Sequence, residues 1–356
     1  MAQADAATER PGVAPEMPSR LDARHLLRRL GGLVLLVAIV LIAIHSLPGL
    51  GEVRRRVEHA DLLLVALIPL LKLGSCLSNI VAFRDVFCRR TGWRFSYQLG
   101  MAEQATNVLI PTGGAGGLAL GAWALRQAGM ATEHIARRSV SFFILTSIPN
   151  FLCLALLGPL LLGHIFSDRA PVIPTAVFCG LAWTAAMALF LLPSILGRVR
   201  TDPRAHSIAG RLRRWAVMLG RGIADTGELF RTGRWQAILG AVGYLGFDIA
   251  AMVTAFAATG GVPDLPLIIF AYTIGQLGGI IPIPGGIGGT DGGLIGAAVL
   301  YGASLSQATA AVLLYRIFQL GVPAILGTIA FVQLRHTLRR SEAPHVECGL
   351  AEAPSV

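Results

Sequence analysis

Five charged side chains stand inside long apolar stretches of this chain: Lys72, Glu103, Asp248, Asp291 and Arg316. A charge at the centre of a membrane helix costs roughly 2.5–3.5 kcal/mol on insertion scales, so each needs a partner or a task. Three acids and two bases allow internal pairing, which would make them staples of a helix bundle. The same set could instead hold an anion or carry protons. The planar fork of Arg316 suits phosphate oxygens, and Lys72 offers a second positive charge. Asn107, Gln276, Thr290 and Tyr315 would supply neutral hydrogen-bonding groups to the same cavity.

Two glycine-rich runs would position these groups. Ile281-Pro-Ile-Pro-Gly-Gly-Ile-Gly-Gly-Thr-Asp-Gly-Gly293 shares a GGxGG core with Ile110-Pro-Thr-Gly-Gly-Ala-Gly-Gly117. Backbone of this kind is tolerated at membrane depth only where it is buried in protein or lines a wet cavity. Gly113, Gly114, Gly116, Gly117, Gly285, Gly286, Gly288 and Gly289 allow tight turns and close approach of backbone to a ligand. Their alternative use is close helix packing. Each run feeds a new half-helix, near Leu118 and at Thr290, whose free N–H groups can bind an anion. Thr290 or Asp291 could equally cap that half-helix. A third option for Asp291 is to pair with Arg316 until a headgroup arrives, or to carry a proton.

The surrounding composition is that of an integral membrane protein: 356 residues, 54% hydrophobic and 14% charged, with mean hydropathy +0.65. Soluble domains carry about a quarter charged residues. The net charge of +10 is almost wholly arginine, since Lys72 is the sole lysine. Arginine clustered between apolar segments is a topology and headgroup signal, so no nucleic-acid partner is expected. Five cysteines show no paired spacing and eight histidines no ligand pattern. The expectation is no disulfide framework, no metal and no cofactor.

Apolar segments at about 31–50, 62–83, 139–163, 172–196, 236–258 and 307–331 approach the ~20 residues that span a bilayer. Regions 97–128 and 266–301 are cut by their glycine runs into pieces of a length suited to re-entrant hairpins. The fold class expected is therefore an all-α polytopic membrane protein: about six spanning helices plus two re-entrant, glycine-broken helical hairpins forming an inverted repeat. Residues 1–24 and 336–356 read as cytoplasmic tails around a membrane domain at 25–335. Its halves, about 25–196 and 236–335, are joined by an arginine-rich loop at 197–235. Ile208, Leu212, Trp215 and Leu219 mark an amphipathic helix in that loop, lying on the cytoplasmic leaflet. Arginine-rich segments then share one side, with both termini cytoplasmic in the inner (plasma) membrane, except that Arg54, Arg55 and Arg56 fall outside.

The stretch Pro282 to Gly296, followed by Tyr301-Gly-Ala-Ser and Ala310-Ala-Val-Leu-Leu-Tyr-Arg-Ile317, resembles the C-terminal signature of the flippase-like family. That family includes the membrane region of lysylphosphatidylglycerol synthases. Asn107-Val-Leu-Ile-Pro-Thr-Gly-Gly114 and Phe83-Arg84 resemble its first motif. The resemblance covers roughly 25–335 and implies a polytopic helical domain that moves phospholipids or lipid-linked headgroups between leaflets. It places Asp291 where the family commonly has glutamate, one methylene longer, and Arg316 at the family's arginine in the last helix. The lysyl-transfer domain is not expected in this chain.

The function expected is thus a lipid translocase, with membrane phospholipids or a lipid-linked headgroup as partner. One alternative is a secondary transporter of a small anionic or zwitterionic solute, with Asp291 or Glu103 as proton carrier. Another is a non-catalytic membrane partner of a separately encoded lipid-using glycosyltransferase. No nucleophile–base pair is legible, so no catalytic residue and no enzyme activity is expected.

Overall fold

The computed structural model describes residues 23–46, 50–110, 115–196, 208–277, 289–339 and Cys348. These form twelve helices and no strand among the described residues: α1 (Ala23–Ser46), α2 (Gly51–Glu58), α3 (Leu62–Phe87), α4 (Trp93–Leu109), α5 (Ala115–Gln127), α6 (Thr132–Leu162), α7 (Val172–Leu196), α8 (Ile208–Arg231), α9 (Trp235–Ala258), α10 (Leu265–Gln276), α11 (Gly289–Leu300) and α12 (Leu305–Arg339). Four of them, α3, α6, α9 and α12, are long and apolar enough to cross a membrane. The two other expected spans fall on α1 and α7, helices of 24 and 25 residues. Large apolar side chains stand exposed along the outside, among them Leu63, Phe143, Ile173 and Leu239. A soluble protein does not tolerate so extensive a greasy surface; a lipid-facing one requires it.

The centre of the bundle is the antiparallel pair α3 and α9. Small residues let the two backbones approach. A Cβ on Gly240 would come within 2.6 Å of the Ala82 nitrogen, and one on Gly74 within 3.3 Å of the Phe247 ring. Each end of the pair is fastened by polar contacts. At one end the Asp61 N–H donates to the Ala258 carbonyl (3.2 Å), and the Asp61 carboxylate caps α3 by accepting from the Leu63 N–H (2.9 Å). At the other, Asp85 of α3 accepts from the Ala237 N–H in the first turn of α9 (3.0 Å). There a carboxylate meets the positive end of the helix dipole.

Both glycine-broken regions are helical hairpins. In the first, Asn107 of α4 accepts from the Gly117 N–H of α5 (2.8 Å), and Glu103 lies against Gly121 one turn further from the break. In the second, Gly275 of α10 abuts Gly293 and Leu294 of α11, while Phe270 and Tyr301 pack edge to face at 5.5 Å. Helix α12 runs antiparallel to α4, with Gly327 against the Met101 carbonyl and the Thr337 hydroxyl donating to Gln98 (3.2 Å).

Several expectations change. The arginines at 54–56 belong to an unforeseen helix, α2, which docks Val53 onto Ala310 of α12. Arg54 pairs with Glu58 (2.7 Å), Arg56 with Glu52 (3.2 Å), and Arg56 also donates to the Thr259 carbonyl (3.3 Å). The hydroxyl of Ser306 and the Arg56 guanidinium hold the Glu52 carboxyl below the usual carboxylate range. These arginines therefore have local structural work that competes with any topology signal. In the loop 197–235, helix α8 forms, but its C-terminal half docks on α6. Gly222 seats Val140, Ser141 donates to the Gly222 carbonyl (3.0 Å), and Arg137 pairs with Asp225 (2.7 Å). The side chains of the stripe Ile208, Leu212, Trp215 and Leu219 lie outside the described residues, as do the tails 1–22, 340–347 and 349–356.

The expectation of no disulfide is overturned. Cys88 at the end of α3 and Cys348 are joined, with Sγ–Sγ 2.07 Å and Cα–Cα 5.7 Å, across 260 residues of sequence. Spacing along a chain cannot report a pair that only the fold brings together.

Candidate functional site

The charged residues inside the bundle sort into two pairs and one lone acid. Arg316, on α12, is buried at 8% exposure. Its Nε meets the carboxylate of Asp291 in the first turn of α11, and its Nη1 donates to Gln319 Oε1 (2.7 Å), one turn along the same helix. Thr290 is buried beside Asp291. The site therefore stands where α11 begins, immediately after the second glycine–proline run. Of the glycines in the two runs, Gly116, Gly117, Gly289, Gly292 and Gly293 are described; Gly113, Gly114, Gly285, Gly286 and Gly288 lie outside the described residues.

Lys72 faces a different partner. Its Nζ donates to Asp248 Oδ1 at 2.6 Å, midway along the α3–α9 pair, and both residues are below 5% exposed. Asp248 Oδ2 accepts from the Tyr272 hydroxyl of α10 (3.3 Å). That hydroxyl stands 3.1 Å from the hydroxyl of Tyr315 on α12 and accepts from the Gln276 amide at the end of α10. An ion pair taken out of water repays its desolvation only when its remaining lone pairs and hydrogens are also satisfied; here each oxygen of the Asp248 carboxylate accepts a hydrogen bond. Tyr315 and Arg316 are sequence neighbours, so the two charge pairs adjoin through α12.

Glu103 makes no ion pair among the described residues. Its carboxyl occupies the space that a side chain on Gly121 would fill. Asn107 is exposed and closes the first break by its bond to Gly117 rather than reaching the Arg316 pair. The predicted residues thus fall into three places: Arg316, Asp291 and Thr290 at the second break, Lys72, Asp248, Gln276 and Tyr315 in the polar cluster, and Glu103 with Asn107 in the first hairpin. Tyr272 and Gln319 were not legible beforehand. Their signals are weak ones, since Gln276 follows Tyr272 by four residues and Gln319 follows Arg316 by three, each one helical turn. No group of three or more His, Cys, Asp and Glu side chains among the described residues is placed to hold a metal ion.

An all-helical architecture with several helices long and apolar enough to cross a membrane, helical hairpins and charge pairs set among the helices defines a polytopic all-α membrane protein. The family model described as the lysylphosphatidylglycerol synthase TM region matches residues 29–327, and the chain belongs to that family. Family membership associates it with membrane lipid. No curated protein matches the chain.

Proposed function

We propose that the protein moves a phospholipid, or a lipid carrying a polar headgroup, from one leaflet to the other. The observation that carries this reading is the Arg316–Asp291 pair at the start of α11, with the guanidinium buried and the carboxylate partly open. A guanidinium and a helix N-terminus together form a phosphate site, and a carboxylate is the natural stand-in when no phosphate is present. An arriving headgroup phosphate takes the Arg316 fork and displaces Asp291, while the acyl chains remain in lipid. The two broken hairpins are re-entrant, enter from opposite faces and are related as an inverted repeat, which puts the site near the bilayer midplane. On this reading the protein sits in the inner membrane with both termini in the cytoplasm, which the arginine distribution supports. The transported lipid is made or modified by a separately encoded enzyme, this chain itself being a carrier and not a catalyst.

Reconstitution into vesicles containing a headgroup-labelled fluorescent phosphatidylglycerol, with dithionite quenching of the outer leaflet, tests this. Arg316→Ala is expected to lose most of the protein-dependent exchange, and Arg316→Lys to keep only part of it, because an ammonium lacks the bidentate fork. Equal rates for wild type and Arg316→Ala overturn the role given to the arginine. Accumulation of a soluble anion without lipid exchange would move the protein to the class of solute transporters.

A further inference from the structure

Lys72 and Asp248 are not needed to explain a phosphate site, yet they anchor the most elaborate polar cluster among the described residues. Four elements contribute: Lys72 from α3, Asp248 from α9, Tyr272 and Gln276 from α10, and Tyr315 from α12. Lys72 belongs to the first half of the chain and all the others to the second. The cluster is continuous with the second break at both lips. Gln276 is the last residue of α10, and Tyr315 precedes the arginine that holds Asp291 on α11.

A plain staple between α3 and α9 would require only the pair itself. Here the carboxylate also accepts from a line of hydrogens that starts at the lip of the break: the Tyr272 hydroxyl donates to Asp248, and Tyr272 in turn accepts from the Gln276 amide and has the Tyr315 hydroxyl at 3.1 Å. The remaining titratable groups facing the pair are Tyr244, whose ring centroid lies 5.8 Å from the Lys72 ammonium, and Cys76, one turn along α3. Neither carries a competing charge at neutral pH, since thiols and phenols titrate higher. No third formal charge among these groups therefore competes with Asp248 for the Lys72 ammonium.

We propose that the Lys72–Asp248 pair is a proton-binding site that couples movement of the headgroup to the proton gradient, an inference that rests on the translocation reading above. Separating the two halves with the pair charged would strand an ammonium and a carboxylate in apolar surroundings, which costs several kcal/mol per ion. Transfer of one proton from Lys72 Nζ to Asp248 Oδ1 leaves a neutral amine and a neutral acid, with no change in net charge. A proton arriving at the Tyr315 oxygen from the side of the break lets Tyr315 pass its own hydrogen to Tyr272, and Tyr272 pass to Asp248 Oδ2 the hydrogen it already donates there, while the Oδ1 proton returns to the Lys72 amine. Loss of one proton from the Lys72 ammonium to the other side restores the neutral pair, so one proton enters and one leaves per cycle.

The test uses the full chain in vesicles of phosphatidylethanolamine and phosphatidylglycerol, with the pH dye pyranine trapped inside. A potassium diffusion potential drives protons inward, and exchange of labelled phosphatidylglycerol is followed in parallel with and without a pH gradient. Wild type is expected to take up protons and to exchange lipid severalfold faster with the gradient. The single variant Asp248→Asn leaves a buried cation and is prone to misfold, so the decisive variant is Lys72→Met combined with Asp248→Asn, whose net charge is unchanged. Monodisperse double variant that takes up no protons, and whose residual lipid exchange ignores the gradient, supports the site. Proton uptake by the double variant equal to wild type overturns it. Wild type that moves lipid but no protons also overturns it while leaving translocation standing. Proton uptake that is lost in the double variant, with no lipid movement in either protein, supports the site and overturns the lipid reading.

Discussion

At the scale of single residues, the balance in the bundle is set by what each buried charge is left facing. Lys72 and Asp248 are nearly inaccessible to solvent, so removing one partner is far worse than removing both. Lys72→Met alone is expected to cost about 3–5 kcal/mol of stability because it abandons a buried carboxylate. Combining it with Asp248→Asn should recover most of that loss. Thermal unfolding of the four proteins in detergent gives the coupling energy as a double-mutant cycle. Tyr272→Phe is a milder probe, expected to cost about 1 kcal/mol for the lost hydrogen bond to Asp248. Lys72 and Asp248 were readable in advance as costly charges, but three acids and two bases leave the pairing undetermined, and only the assembled helices choose.

At the scale of elements, the hairpins depend on glycines that differ sharply although they are neighbours. A Cβ on Gly293 would meet the Gly275 carbonyl at 2.9 Å, whereas one on Gly292 meets nothing within 4 Å. Gly293→Ala must push α10 and α11 apart at the lip of the break, for about 1–3 kcal/mol of overpacking. Gly292→Ala should be neutral or slightly stabilising, since alanine gains about 1 kcal/mol of helix propensity over glycine. Melting temperatures of the two variants check this, and equal destabilisation would contradict the packing described. The breaks themselves were evident from composition, because dense glycine interrupts an apolar run unmistakably. Helix α2 was not, since eight residues with three arginines resemble a loop until Val53 finds its seat on α12.

At the scale of the whole molecule, the Cys88–Cys348 bond ties a residue beyond α12 to the end of α3. Cys88 is followed by Arg89 and Arg90, and Cys348 comes eight residues after Arg340; on the topology proposed above this face is cytoplasmic, where thiols are kept reduced. The expected outcome is two free thiols in the growing cell and a closed bond after aerobic purification. Alkylating intact cells before lysis, then measuring the mass of the peptides containing Cys88 and Cys348, decides it. A bond already closed in living cells would place that face in an oxidising compartment and invert the topology.

Hydropathy, helix length and glycine content act locally, so the sequence by itself determined the membrane class, the position of each long helix, both breaks and the singular Arg316. Partnership is not a local property. Lys72 and Asp248 are 176 residues apart. They meet because Gly240 lets α3 and α9 close to backbone contact and Gly74 makes room for the Phe247 ring, while Asp61 and Asp85 set their register at either end. The same packing carries Tyr272 and Tyr315 onto that pair and leaves Arg316 to Asp291. Only the tertiary structure could decide this, because a buried charge takes whichever partner the surrounding helices bring within reach.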